Sequence, residues 1–141
     1  MRALSIRQPF AELILRGMKT IEYRSRPTRI IGQRFWIYAA KGTRVPLRGK
    51  AQRPIVADNV SVANAPPWMI ELANALRIFD HELPTGLIVG SAVISHCTQS
   101  SKTDNEPLTL DFFQWHLTDV ERLARPRRPR NHPQPVWFRP F

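Results

Sequence analysis

Between Pro9 and Arg24 the spacing of apolar residues changes from helical to alternating, so the chain must pass from a helix into a strand across a single glycine. In QPFAELILRG, Phe10, Leu13 and Ile14 share one helical face and turn toward a core, while Pro9 suits the first helical position because its missing N–H costs nothing there. Gly17 can take the left-handed backbone that ends a helix. In KTIEYRS the period becomes two: Ile21 and Tyr23 point one way, and Thr20, Glu22 and Arg24 the other. An all-helical chain and an all-strand chain are both excluded.

Strand signals dominate elsewhere. RALSI (2–6) alternates, QRFWIYAAK (33–41) is aromatic and β-branched, and GLIVGSAVISHC (86–97) reads as a long apolar strand bent or bulged at Gly90. Residues 42–67 read as loop with a short strand at IVADNVSV, WMIELANALRIF (68–79) has helical spacing, and SSKTDNEP (100–107) is polar and loop-like. In LDFFQWHLTDVERL (110–123) the aromatics favour a strand, whereas DVERL suits one helical turn. The tail ARPRRPRNHPQPVWFRPF carries five prolines before its final Phe, which predicts neither helix nor central strand, with VWF (136–138) left for a short edge strand. At least four strands and two short helices, without βαβ alternation, predict a single α+β domain over residues 1–141, built as a mixed sheet or small barrel.

Charge narrows the partner. The net charge is +10, and its distribution is uneven. Residues 1–53 hold 13 Lys/Arg against 2 acids, residues 54–120 hold 2 against 8, and residues 121–141 hold 6 against 1. Two basic ends that meet in space make one cationic face suited to a polyanion, and most of these cations are arginine, which forks onto phosphate. The sequence has no run of about 18 apolar residues and its N-terminus lacks a secretory pattern, which predicts no membrane span and no secretion. Cys97 is the sole cysteine, which argues against a disulfide or a cysteine-based metal site and fits a reducing, cytoplasmic setting.

Glu22 stands out as a lone acid among Lys19, Arg24 and Arg26. An exposed ion pair would contribute about 0–1 kcal/mol, and spacing alone favours that reading. Arg122, Arg125, Arg127, Arg128 and Arg130 form a run interleaved with proline, either a solvated loop or a phosphate-contacting arm. Trp115 and Trp137 are candidates to stack on bases, Trp36 is expected in the core, and Trp68 either caps a cleft or packs its helix. His96 reads as structural; His116 and His132 are candidate acid–base groups.

These motifs resemble the ASCH domain, the activating-signal-cointegrator homology family. Its pattern of a strand, S-x-x-Q-P-[WF]-A and then G-x-K-x-[IV]-E-x-R is matched by Ser5, Gln8, Pro9, Phe10 and Ala11, and by Gly17, Lys19, Ile21, Glu22 and Arg24. RFWIYAAK and GLIVGSAVISHC resemble later barrel strands, WHLTDVERLARPRRPR a [WY]-x-L-x-[DN] segment, and QPVWF the closing piece, where Pro135 replaces the family's usual glycine. The resemblance implies a PUA-like small mixed β pseudo-barrel of five to six strands with flanking short helices. It further implies a basic cleft for RNA or a nucleotide-like ligand, centred on Lys19, Glu22 and Arg24 and bordered by Arg7, Gln8 and Lys41, with Arg125, Arg127, Arg128 and Arg130 as an arm. Glu22 would accept from a base amino group while Arg24 holds an oxygen. Some relatives are similar to metal-independent hydrolases of N4-acylated cytidine, others are linked to RNA cleavage, and such an activity would make Lys19 and Glu22 catalytic. Those hydrolases carry threonine where this chain has Glu22, with Thr20 nearby and Glu106 as the candidate distant acid. No cofactor and no metal are implied.

Overall fold

The computed structural model describes residues 1–41, 83–100 and 112–141. Trp68, Glu106 and the segments expected as loop and helix over 42–79 lie outside them. The described elements are β1 (Ala3–Ile6), α1 (Phe10–Leu15), β2 (Ile21–Arg24), β3 (Arg34–Ala39), β4 (Leu87–Ser100), β5 (Phe112–Arg127) and β6 (Trp137–Phe138). They form one six-stranded sheet in the order β2-β5-β4-β3-β1-β6, with β1 parallel to β3 and every other pair antiparallel. The sheet curls into a half-barrel, the small mixed β fold expected of the chain. No helix among the described residues is long and apolar enough to cross a membrane.

The helix-to-strand switch sits where the spacing puts it, with one adjustment. Pro9 caps α1 rather than opening it, and the helix runs six residues from Phe10. Its buried Phe10, Leu13 and Ile14 join Leu4 and Ile6 of β1, Phe35 and Ile37 of β3, Ile94 of β4, and Trp115 and Leu117 of β5 in the main core. Gly17 takes φ +74° and lets Met18 and Lys19 both donate backbone N–H bonds to the Leu13 carbonyl, which turns the chain into β2. A second cluster, Ala3, Tyr38, Ile88 and Phe138, packs elsewhere on the sheet.

β5 corrects the expectation for the tail. It runs on through Ala124, Arg125, Pro126 and Arg127 as strand. Against β4, Gly90 pairs with Arg122 and Ile88 with Arg127, so Leu123 to Pro126 lie opposite Val89 alone. That bulge needs no ladder N–H at Pro126, which removes the objection to proline there.

Gly90 fixes the same corner. A Cβ on it would lie 2.4 Å from Leu15 Cδ2 of α1 and 2.5 Å from the Glu121 backbone carbonyl of β5. The carbonyl cannot swing aside as a side chain can. Gly90→Ala is therefore expected to cost about 1–3 kcal/mol, read as a lower urea midpoint with unchanged slope.

Candidate functional site

Lys19, Glu22 and Arg24 form one connected chain of charges. The Lys19 ammonium donates to Glu22 Oε2 at 2.8 Å and to the Ile21 carbonyl, while Arg24 Nη2 lies 3.0 Å from Glu22 Oε1 and donates to the Ser5 carbonyl at 2.8 Å. The Lys19 and Glu22 side chains are each 2% exposed, Arg24 12%. Lys19 Nζ lies 6.0 Å from the Phe10 ring centroid and 5.3 Å from that of Tyr23, and the Arg24 guanidinium lies 5.8 Å from Trp115. The alternation that put Glu22 and Arg24 on one face was correct, and the curl of the sheet turns that face inward.

Burial alone would raise the Glu22 carboxyl, but the charges of Lys19 and Arg24 and the hydrogen bond that Lys19 donates hold it below the ordinary carboxylate range. Burial lowers the Lys19 ammonium from the usual lysine range, against the upward pull of Glu22. Arg24 also ties one edge strand of the curled sheet to a strand near its other edge, since its bond to Ser5 joins β2 to β1.

Beside this chain opens a cavity of about 800 Å³. One part of its lining comes from the sheet and its flanks: Ser5, Arg7, Arg24, Tyr38, Lys41 and Gly86. The other is the segment Arg128 to Pro135. Arg7, Arg24, Lys41, Arg128 and Arg130 line it together, and no carboxylate does so among the described residues. Gly86, at φ +74°, lies under the Lys41 side chain, whose Cε would be 2.5 Å from any Cβ placed there. A side chain at position 86 would displace the Lys41 stem.

Other expected positions fall elsewhere. Lys19 and Glu22 do not line the cavity; they stand behind Arg24. Gln8 is also buried: its amide donates to the Pro84 carbonyl at 3.0 Å and accepts from the Glu12 N–H at 3.1 Å, tying α1 to the segment before β4. Arg125 and Arg127 lie on β5 outside the cavity, Arg127 over the Phe141 ring at 4.3 Å. Trp115 and Trp137 stack on each other at 5.7 Å rather than offering faces to a base, and the Trp115 indole donates to the Arg26 carbonyl.

Among the histidines, His132 lines the cavity. His96 and His116 face each other across β4 and β5 with stacked rings 3.9 Å apart, and burial together with the His96 charge lowers the His116 imidazole. Ser5, Tyr38, Gly86 and Asn131 were not anticipated at the cavity; the fold gathers them from distant segments, and no local spacing signals it.

A second buried acid, Glu12, is clasped by Arg122 through two bonds of 2.8 and 3.1 Å and by Arg16 at 2.8 Å. Burial would raise its carboxyl, and these partners hold it low instead. This clasp joins α1 to β5 and is not part of the cavity lining.

A family model described as the ASCH domain matches residues 4–127. Among solved structures, ASCH from Zymomonas mobilis is similar, with a TM-score of 0.51 at 17% identity, covering 90% of this chain and 72% of that one. A serine-to-alanine variant of that protein gives a TM-score of 0.56 at 17% identity, covering 97% of this chain and 85% of that one. A tyrosine-to-phenylalanine variant gives 0.54 at 17%, covering 98% and 89%. Likeness at this identity is likeness of fold. No curated protein matches the chain.

Proposed function

Because the chain belongs to the ASCH domain family, a PUA-like fold family often linked to RNA binding, we propose that its cavity holds RNA, or another phosphorylated nucleotide ligand, by the phosphates. The observation that carries this reading is the set of five cations, Arg7, Arg24, Lys41, Arg128 and Arg130, around a concavity whose described lining holds no acid. Like charges gathered in a concave site focus the field and raise the local concentration of anions, and arginine forks onto phosphate oxygens. A neutral nucleoside brings no anion to these cations, whereas a phosphate does. Glu22 serves here by holding Arg24 from behind, and Lys19 by completing the neutralisation of Glu22.

A hydrolase of N4-acylcytidine would need a nucleophile or base at the ligand. Lys19 and Glu22, the residues that resemblance nominated, are spent on each other within the wall. The test offers the purified chain a short labelled RNA and, separately, N4-acetylcytidine. Saturable RNA binding without nucleoside turnover is the expected result. Turnover abolished in a folded Lys19→Ala variant would overturn the reading, as would failure to bind RNA at low salt.

A further inference from the structure

Resting on that reading, we infer that the cavity accepts one unpaired nucleotide of a single strand, with its base inserted between two cationic walls, and excludes a paired one. The cations divide between the walls: Arg7, Arg24 and Lys41 come from the sheet and its flanks, Arg128 and Arg130 from the 128–135 segment. Charge on both sides of a concavity matches a ligand carrying phosphate on either side of a narrow body, as a nucleotide within a strand does. At about 800 Å³ the space is that of a small-molecule site, in the range of about 300–1,000 Å³. A paired base is stacked and hydrogen-bonded to its partner, and it would have to give up both to enter the cavity.

The second wall is fixed in place. At one end of the segment, the Arg130 and Asn131 N–H groups donate to the Pro140 carbonyl at 2.8 and 3.2 Å, and the Asn131 side chain donates to the Arg139 carbonyl at 2.8 Å. At the other, Ser5 donates its N–H to the Val136 carbonyl at 3.0 Å and its hydroxyl to the Gln134 carbonyl at 2.6 Å. Pro129, Pro133 and Pro135 stiffen the backbone between these ties. A wall held at both ends does not swing out to admit a duplex.

Groups suited to a base edge are at hand. His132 Nδ1 lies 2.9 Å from the Pro133 carbonyl, which can only accept, so Nδ1 is the donor and the neutral ring keeps Nε2 as an acceptor. The prolines and Tyr38 supply apolar surface beside it.

The experiment compares three labelled probes of one sequence by fluorescence anisotropy with the full chain: a single-stranded RNA trimer, the same trimer with its central base removed, and the same sequence within a blunt duplex. The intact trimer is expected to bind about tenfold or more tighter than the duplex and about fivefold or more tighter than the abasic trimer, the loss that one sequestered base brings. Equal or tighter duplex binding overturns the inference and leaves phosphate binding standing. Indifference to base removal does the same, since phosphates alone would then account for the affinity. If no probe binds, the proposed function falls with it.

Discussion

Exchanging Glu22 for glutamine is expected to remove about 3–5 kcal/mol of folding stability, the cost of stripping the partner from a buried charge. The substitution keeps the shape and removes the charge, leaving the Lys19 ammonium, 2% exposed, opposite a neutral amide, with Arg24 uncompensated beside it. Urea unfolding would show a lower midpoint at unchanged slope. A loss below about 1 kcal/mol would mean that the trio behaves as an exposed ion pair. Acid sharpens the test. The folded Glu22 carboxyl lies below its unfolded value, so its contribution is complete above the unfolded carboxylate value of about 4.3 and is lost as pH falls through the folded one. Glu12 shifts in the same direction and adds to the same acid limb. In Glu22→Gln that limb becomes shallower, with the Glu12 share remaining.

The second large effect is on affinity. A single strand long enough to set a phosphate against each of the five cations gives a slope of log affinity against log salt of about −3.5, so its binding should weaken on the order of 100-fold between about 50 and about 200 mM salt. Replacing Lys41 and Arg130 together by alanine should flatten the slope to about −2, whereas Arg125→Ala, outside the cavity, should leave it unchanged. Salt-independent binding by the wild-type chain would remove the phosphate reading altogether.

The elements were legible in the sequence wherever the pattern was local. The switch of period around Gly17 gave α1 and β2, the aromatic and β-branched run gave β3, and the bend expected at Gly90 coincides with a register shift. β5 was not legible beyond Leu123, because proline argues against a strand until a bulge excuses it, and the bulge is a property of the pairing with β4. The site divides in the same way. Spacing placed Glu22 beside Arg24, but which of them lines the cavity depends on sheet curl, which no strand encodes alone. Gln8 and Arg7 are sequence neighbours, yet one is locked to Pro84 and the other lines the cavity. Arg128 and Arg130 were separable from Arg125 and Arg127 only once the 128–135 segment had been laid against β1.

The guanidinium at position 24 answers three demands at once: a carboxylate within the wall, a carbonyl on β1, and whatever enters from outside. A planar fork can serve several directions, whereas a lysine, with its charge at one point, cannot span them. Drift toward the other cation at this residue would therefore unfasten the sheet and blunt its grip in the same step, so neither property can be tuned there without the other.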